Sequence, residues 1–232
     1  MKRFSQYFNN LQPGHDSWAR RLGRRWLKTH RHPACLWDLV ERLPANARVL
    51  DAGCGPGNTL ELFQAVRGDL QLTGSDGALP PEVTRLQPRI QFVTADFSQE
   101  VPFEEGSFDL VISQAVIEHI PVEKVDRYGA NLAHLVKPGG HLYLNFPNVR
   151  SLWVNFYDDP THIRPYTGQA VERMLIPMGI QTVRIGIDRS FKILFLAPLY
   201  RLSLLLRGRR DVVSFFLNHF LGTNSFFLGQ KQ

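Results

Sequence analysis

Glycines at alternate positions follow the first apolar strand of the sequence, and this combination could bind a nucleoside-like ligand. The run from residue 49 to residue 58 reads VLDAGCGPGN, which contains Gly53, Gly55 and Gly57. Such glycines let the backbone turn tightly and approach a flat ligand where a Cβ would collide. Ligands of open α/β sheets bind in the crevice at the carboxyl ends of the strands. We therefore expect these three glycines to contact a ligand.

The composition of this loop argues against a dinucleotide. A dinucleotide site needs the pattern G-x-G-x-x-G, with the pyrophosphate on the N-terminus of the following helix. Counting from Gly53, the position of the last glycine is Asn58, and Asp51 places a carboxylate at the strand end. A negative charge there suits a cationic ligand better than a pyrophosphate. S-adenosylmethionine carries a sulfonium and an ammonium group, so its charge has the right sign.

Two further aspartates end predicted strands. Asp76 lies 19 residues after Gly57, and a carboxylate that holds a ribose through its hydroxyls is expected about 20 residues after the glycines. Asp96 follows the third predicted strand, where it could accept a hydrogen bond from the exocyclic amine of adenine. Any one of these aspartates alone would more often be a turn or cap residue. Three of them at one edge of a sheet predict a nucleoside site.

Short β-branched runs alternate with helix-like segments from residue 47 onward, which is the pattern of a parallel sheet covered on both faces. Helices are predicted over 59–66 and 122–136, and Lys137–Gly140 is expected to end the second of them and to start the fifth strand. The first 46 residues are helical in character. The predicted strands are 48–50, 70–73, 90–93, 108–112, 141–146, 181–187 and 225–228.

The length of 232 residues fits a single domain of the α/β class with one large core. We expect an N-terminal helical cap over 1–46, a cofactor-binding core over 47–150 and an acceptor-side half over 151–232. The two cysteines make no disulfide framework, which indicates a reducing compartment. No stretch reaches the roughly 18 apolar residues of a transmembrane helix. The sequence therefore predicts a cytoplasmic protein.

These motifs resemble those of the class I S-adenosylmethionine-dependent methyltransferases, in the broad group that modifies small molecules. The resemblance covers nearly everything from Leu43 onward. The segment 51–57 resembles the family's cofactor loop, and the segment 114–120 resembles the one that borders the methionine end of the cofactor. The residues that are thereby implied to bind the cofactor are Asp51, Gly53, Gly55, Gly57, Asp76, Ala95, Asp96, Phe97 and Gln114.

The resemblance implies a Rossmann-like, seven-stranded, mostly parallel sheet with an antiparallel last strand and helices on both faces. It implies S-adenosylmethionine as the cofactor and methyl transfer as the reaction, and it is silent on the acceptor. One rival interpretation is a binding module that keeps the pocket and has lost catalysis. Another is a nucleotide-sugar or nicotinamide enzyme on a related fold, against which Asp51 and Asn58 argue.

Two histidines are candidates for the base that an oxygen acceptor needs, because an imidazole titrates near neutral pH. His119 comes just after the fourth predicted strand. His162 lies in a polar loop over 158–167, which the resemblance places at the acceptor pocket. A structural histidine bonded to the backbone is the alternative for both. The acidic residues beside His162 match no strong metal pattern, so no metal site is predicted.

The nature of the acceptor is constrained by charge and by missing motifs. The formal net charge of +6 fits an acidic partner. However, Ser113–Val116 stands where related enzymes that methylate base amines carry an Asn/Asp-Pro-Pro-aromatic tetrapeptide, and neither cysteine is placed to attack a cytosine. We therefore expect a small-molecule acceptor rather than a nucleic acid.

An apolar insertion between the sixth and seventh predicted strands bears on location. The segment 191–220 combines many leucines and phenylalanines with Arg207, Arg209 and Arg210. Apolar residues beside a basic cluster are typical of a helix on a membrane surface. The alternative is that these residues cap the pocket or contact a second copy of the chain. The membrane interpretation predicts peripheral association and a lipid-like or lipid-linked acceptor, and the sequence predicts no oligomeric state.

Overall fold

A computed structural model describes residues 34–79, 89–149, 156–187 and 224–232 of the chain. The helices are α1 (Ala34–Arg42), α2 (Asn58–Val66), α3 (Val125–Leu135) and α4 (Gly168–Leu175). The strands are β1 (Arg48–Ala52), β2 (Gln71–Asp76), β3 (Gln91–Thr94), β4 (Phe108–Gln114), β5 (Val136–Pro147), β6 (Ile180–Ile187) and β7 (Asn224–Lys231). Short 3₁₀ helices cover Ile117–His119, Val122–Lys124, Phe156–Asp158 and Ile176–Met178.

The strands form one sheet in the order β3-β2-β1-β4-β5-β7-β6. Strands β1 to β5 run parallel to one another, and β7 runs antiparallel to both β5 and β6. The Rossmann-like arrangement with an antiparallel last strand is therefore confirmed. The strand order reverses next to β1, because the chain moves from β1 outward to β3 and then returns to β4. Such a reversal opens a crevice at the carboxyl ends of the strands.

Helices cover both faces of the sheet because side chains alternate between the faces along each strand. On one face, α1 and α2 pack through residues such as Trp37 and Phe63 against Leu110 and its neighbours. On the other face, α3 and α4 pack through residues such as Leu132 against Val111 and its neighbours. The adjacent β4 residues 110 and 111 thus belong to different cores, and both are fully buried.

Most predicted elements have the predicted type, and their ends differ by a few residues. The largest difference concerns β5, which was expected to begin at residue 141 after a separate turn. In the structure Val136 already pairs with Phe108, and the pairing resumes at His141 opposite Leu110. The intervening residues therefore form an irregularity inside the strand, with Gly139 at φ 76°. The helix that was expected over 122–136 begins as a 3₁₀ helix and becomes α-helical only at Val125.

Several predictions concern segments outside the part of the chain that the structure describes. Of the predicted cap over 1–46, only α1 and the residues that follow it are described. The predicted apolar insertion over 191–220 lies entirely outside the described ranges. The division of the chain into three regions remains a prediction. Within the described ranges, no helix is long and apolar enough to cross a membrane.

A buried hydrogen-bonded chain fixes α3 to the centre of the sheet beneath the crevice. The Ser113 hydroxyl donates to the carbonyl oxygen of Ala52 at 2.7 Å. Its oxygen lies 2.6 Å from the Tyr128 hydroxyl. Because the single proton of Ser113 goes to Ala52, the Tyr128 hydroxyl must donate to Ser113. These two hydrogen bonds connect α3 and β4 to the end of β1, which the glycine loop follows.

This order of donors predicts unequal costs for removing the two hydroxyls. The substitution Tyr128→Phe removes one hydrogen bond and leaves Ser113 bonded to Ala52, which should lower the free energy of unfolding by about 1 kcal/mol. The substitution Ser113→Ala leaves the buried Tyr128 hydroxyl without its hydrogen-bond acceptor and should lower the free energy of unfolding by roughly 2–3 kcal/mol. Urea denaturation of both variants measures the difference. A larger loss for Tyr128→Phe than for Ser113→Ala would contradict the assigned donors.

Candidate functional site

The glycine loop between β1 and α2 turns as the alternate glycines predict. Gly53, Gly55 and Gly57 have φ values of 88°, 50° and 77°. The loop is held to the end of β2 because the amide of Gly53 donates to the carbonyl oxygen of Ser75 at 2.7 Å. A Cβ at Gly53 would lie 2.2 Å from Cγ2 of Val116. No larger residue fits at position 53 without displacing Val116, which follows β4.

Asp76 ends β2 and binds the glycine loop directly. Its Oδ2 accepts a hydrogen bond from the amide of Gly55 at 2.9 Å, and its Oδ1 accepts one from the amide of Ala78 at 2.9 Å. The carboxylate therefore joins the end of β2 to the loop after β1. It also lines a cavity of about 280 Å³ at this edge of the sheet.

Asp51 lies in β1 and is buried, with a relative exposure of 2%. Its Oδ1 has no hydrogen-bond partner among the described residues. Burial, and to a smaller extent the nearby charge of Asp76, raises the pKa of Asp51 to about 7. A buried carboxyl oxygen without a partner is costly. This one lies two residues before Gly53, where a positively charged ligand would stabilise it.

The residues after β3 form the adjacent wall of the cavity. Ala95, Asp96 and Phe97 all line it, and the amide of Ala95 donates to the carbonyl oxygen of Asp76 at 3.2 Å. The carboxylate of Asp96 accepts from the amide of Ser98 at 2.9 Å. It is also exposed, and a carboxylate has more than one lone pair per oxygen, so it can accept a further hydrogen bond from a ligand.

After the end of β4, Ala115 lines the cavity, whereas the predicted Gln114 does not. The side-chain Nε2 of Gln114 donates to the Thr59 hydroxyl at 3.1 Å, and this bond ties β4 to the start of α2. Ala115 lines the cavity and has a φ of 53°. A residue other than glycine with positive φ is uncommon and often marks a functional site. The sequence gives no sign of this strain, because alanine is common everywhere.

The structure thus brings together most of the predicted site residues around one cavity. The predicted residues that line it are Gly53, Asp76, Ala95, Asp96, Phe97 and His119. Asp51, Gly55, Gly57, Gln114 and His162 are not among the lining residues of this cavity. Val116 also lines it and belongs to the segment 114–120, which resembles the one at the methionine end of the cofactor. Tyr128 lines it too, although sequence reasoning did not select it. Its apolar spacing is that of ordinary core residues, so periodicity could not distinguish it.

The two candidate base histidines lie side by side, with ring centroids 4.8 Å apart. Nδ1 of His119 lies 3.1 Å from the carbonyl oxygen of Thr161. Nδ1 of His162 lies 2.6 Å from the carbonyl oxygen of Phe156. A carbonyl oxygen only accepts, so both Nδ1 atoms carry a proton, and in the neutral form of each ring Nε2 carries the lone pair. Both backbone-bonded and reactive roles are therefore open to each ring.

Glu118, which was not among the predicted site residues, is a buried carboxyl group in this region. Its relative exposure is 1%, and neither of its carboxylate oxygens has a hydrogen-bond partner among the described residues. Burial raises the pKa of Glu118 to about 7. Its carbonyl oxygen accepts from the amide of Ile163 at 2.8 Å, so the loop that carries His162 is fixed against it. The two segments are distant in the chain, so no sequence motif indicates that they meet here.

Comparison with known proteins identifies the family. A family described as "Methyltransferase domain" matches residues 19–184 of the chain. A trans-aconitate 2-methyltransferase of Paracidovorax citrulli is 30% identical over 197 residues, which cover 81% of this chain and 70% of that protein. A ubiquinone biosynthesis O-methyltransferase of Pectobacterium atrosepticum is 36% identical over 107 residues, covering 44% of this chain and 43% of that protein. The chain spans about half the length of the first curated relatives it matches.

Solved structures agree with the fold. The crystal structure of an S-adenosylmethionine-dependent methyltransferase from Archaeoglobus fulgidus superimposes with a TM-score of 0.62. The match covers 90% of this chain and 94% of that chain at 20% sequence identity. At this identity the likeness concerns the fold alone.

The burial of Glu118 predicts a pH-dependent stability. Because its pKa rises from the usual 4.5 to about 7 on folding, the folded state holds the proton more tightly than the unfolded state. The contribution of Glu118 is complete below pH 4.5 and is lost as the pH rises through about 7. Glu118→Gln should therefore lose less stability than the wild type between pH 5 and pH 8, by on the order of 2–3 kcal/mol.

Urea denaturation at several pH values measures this difference. The control is Glu105→Gln, since the Glu105 side chain is 70% exposed, and it should follow the wild-type pH dependence. Asp51 titrates in the same window and remains in all three proteins, so some pH dependence persists in each. Identical curves for Glu118→Gln and the wild type would show that ionisation of Glu118 does not destabilise the folded state.

Proposed function

The chain belongs to the methyltransferase domain family, and we propose that it methylates an oxygen of a small-molecule or lipid-like acceptor with S-adenosylmethionine as methyl donor. When bound, the cofactor supplies a methyl group on a sulfonium, which is a good leaving group. The protein then has to align the acceptor, exclude water and remove a proton.

The observation that carries the proposal is the set of aspartates around the ends of β1, β2 and β3. Asp76 and Asp96 line the cavity, and Asp51 is buried beside the glycine loop with an oxygen that lacks a partner in the described ranges. Three carboxyl groups at one edge favour a cation and disfavour a pyrophosphate. The residues present therefore fit S-adenosylmethionine better than a dinucleotide.

The lining residues suggest how the parts of the cofactor are held. We assign Asp76 to the ribose hydroxyls, since a carboxylate at the end of the second strand is placed to accept from them. Asp96 and Phe97 are assigned to the adenine, through an accepted hydrogen bond and an apolar contact. Gly53 and the residues after β4 are assigned to the methionine end, with Asp51 supplying the negative charge. Gly55, Gly57 and Gln114 keep the loop and the start of α2 in place.

The acceptor end of the cavity is assigned to the histidine pair. His119 lines the cavity, and His162 lies directly against it. Each Nδ1 is committed to a backbone carbonyl, so Nε2 is the nitrogen that can take a proton from an acceptor hydroxyl. We assign the base to His119 because of its position, and we assign to His162 the role of holding the neighbouring ring.

The names of two relatives support an oxygen acceptor of small size. One is a trans-aconitate 2-methyltransferase and the other a ubiquinone biosynthesis O-methyltransferase. A lipid-like acceptor agrees with the predicted membrane-surface segment over 191–220, which lies outside the described ranges. That segment and the cytoplasmic location with peripheral membrane contact remain predictions.

The proposal predicts turnover that depends on His119. Purified protein should bind S-adenosylhomocysteine and should form it from S-adenosylmethionine when the right carboxylic acid, phenol or quinol is added. His119→Asn should lower kcat by about a hundredfold or more, the lower end of the range for loss of a general base, while the affinity for S-adenosylhomocysteine stays unchanged. Product formation by mass spectrometry and titration calorimetry give the two readouts.

The matched control is His134→Asn, because the side chain of His134 is 49% exposed and does not line the cavity. This variant should keep both kcat and affinity. Total tRNA is included among the acceptors, and methylation of tRNA alone would refute the small-molecule assignment. Tight binding of S-adenosylhomocysteine without turnover on any acceptor class would instead favour a binding module that has lost catalysis.

A further inference from the structure

A carboxylate and two imidazoles meet at the edge of the cavity. Glu118, His119 and His162 each offer one ligand atom, and these atoms all lie within 4.8 Å of one another. Glu118 and His119 belong to the 3₁₀ helix after β4, whereas His162 comes from the loop before α4. The amide of Ile163 donates to the carbonyl oxygen of Glu118 at 2.8 Å and holds the two segments together. The cluster is therefore built by the fold rather than by a mobile surface.

The carboxylate of Glu118 is the group that indicates a bound ligand. It is almost fully buried, and both of its oxygens lack a hydrogen-bond partner within the described ranges. A buried carboxylate is normally paired with a cation, hydrogen-bonded or coordinated to a metal. A second negative charge lies nearby, since Oδ2 of Asp159 is 4.0 Å from Nε2 of His162. The electrostatic environment thus favours a positive ion.

The histidines already have the outer contacts of metal ligands. A histidine that binds a metal almost always donates its other ring nitrogen to a carboxylate, a backbone carbonyl or water, which fixes the tautomer and the ring. Here the Nδ1 atoms donate to the carbonyl oxygens of Thr161 at 3.1 Å and Phe156 at 2.6 Å. The Thr161 hydroxyl is in turn bonded to Asp159 at 2.6 Å. Both Nε2 atoms are consequently left with lone pairs.

We propose that Glu118, His119 and His162 bind a divalent transition-metal ion, with Zn²⁺ as the best fit. Two imidazoles and one carboxylate form a common ligand set for zinc and for similar ions, whereas Mg²⁺ prefers oxygen ligands. Zinc bonds of about 2.0–2.1 Å place tetrahedral ligands roughly 3.3 Å apart, so the side chains must close by up to about 1.5 Å. His119 faces the cavity, which leaves room for a water or an acceptor oxygen at the fourth position.

The proposed ion goes beyond the proposed function and limits one part of it. A coordinated Nε2 has no free lone pair, so a histidine that binds the ion cannot take a proton from the acceptor. The base role of His119 therefore belongs to the metal-free protein, and metal binding and that role exclude each other in one molecule. Sequence spacing predicts no metal here, because His162 is far from Glu118 in the chain.

The test is titration calorimetry of the 232-residue chain, stripped of metals with a chelator, with Zn²⁺ and separately with Mg²⁺. We expect one tight Zn²⁺ site and no comparable Mg²⁺ site. Glu118→Gln and His162→Asn should each weaken Zn²⁺ binding at least tenfold. The matched controls are Glu105→Gln and His134→Asn, which alter a glutamate–histidine pair 3.7 Å apart on the surface and should bind Zn²⁺ like the wild type.

Binding of S-adenosylhomocysteine, measured on the same samples, separates this inference from the proposed function. Loss of Zn²⁺ affinity in Glu118→Gln and His162→Asn with retained nucleoside binding supports the site. Wild-type Zn²⁺ affinity in both variants would place the ion elsewhere and overturn the proposal, as would the absence of a tight Zn²⁺ site in the wild type. If one variant unfolds, as judged by its melting curve, the other together with His119→Asn decides the question.

Discussion

Two buried carboxyl groups, those of Asp51 and Glu118, lie beside the crevice where the strand order reverses. Three of their oxygens have no hydrogen-bond partner in the part of the chain that the structure describes, and burial raises the pKa of both groups to about 7. Burying such groups costs free energy, so the apolar cores on the two sheet faces must supply it. Buried ionisable groups with shifted pKa values are typical of functional sites, where a ligand interacts with the charge.

The topology explains why both groups lie close to the same cavity without lining it. The loops after β1 and β4 are neighbours because β1 and β4 are paired, and the chain reaches β2 and β3 only on the other side of β1. Gly53 packs against Val116 across this junction. The aspartates therefore lie on one side of the junction and the histidine cluster on the other. A cofactor and an acceptor could then approach each other from opposite sides.

Much of this arrangement could be predicted from the sequence, because local patterns determine it. Alternate glycines require a tight turn, and strand periodicity places Asp51 and Asp76 at the ends of neighbouring strands. The burial of Glu118 could not be predicted, since it lies where its segment meets the loop that carries the distant Ile163. The early start of β5 was missed because Lys137–Gly140 has the composition of a turn but interrupts a strand that has already begun.

If the cavity beside Gly53 binds the nucleoside cofactor, a titration of two alanine variants with S-adenosylhomocysteine should show it. Gly53 and Gly139 have similar φ values of 88° and 76°, so alanine should strain both backbones by about 1–2 kcal/mol. A Cβ at Gly139 meets nothing within 4 Å, whereas one at Gly53 lies 2.2 Å from Val116. We predict that Gly53→Ala weakens binding at least tenfold and Gly139→Ala does not. Equal affinities in the two variants would show that the cofactor does not bind beside Gly53.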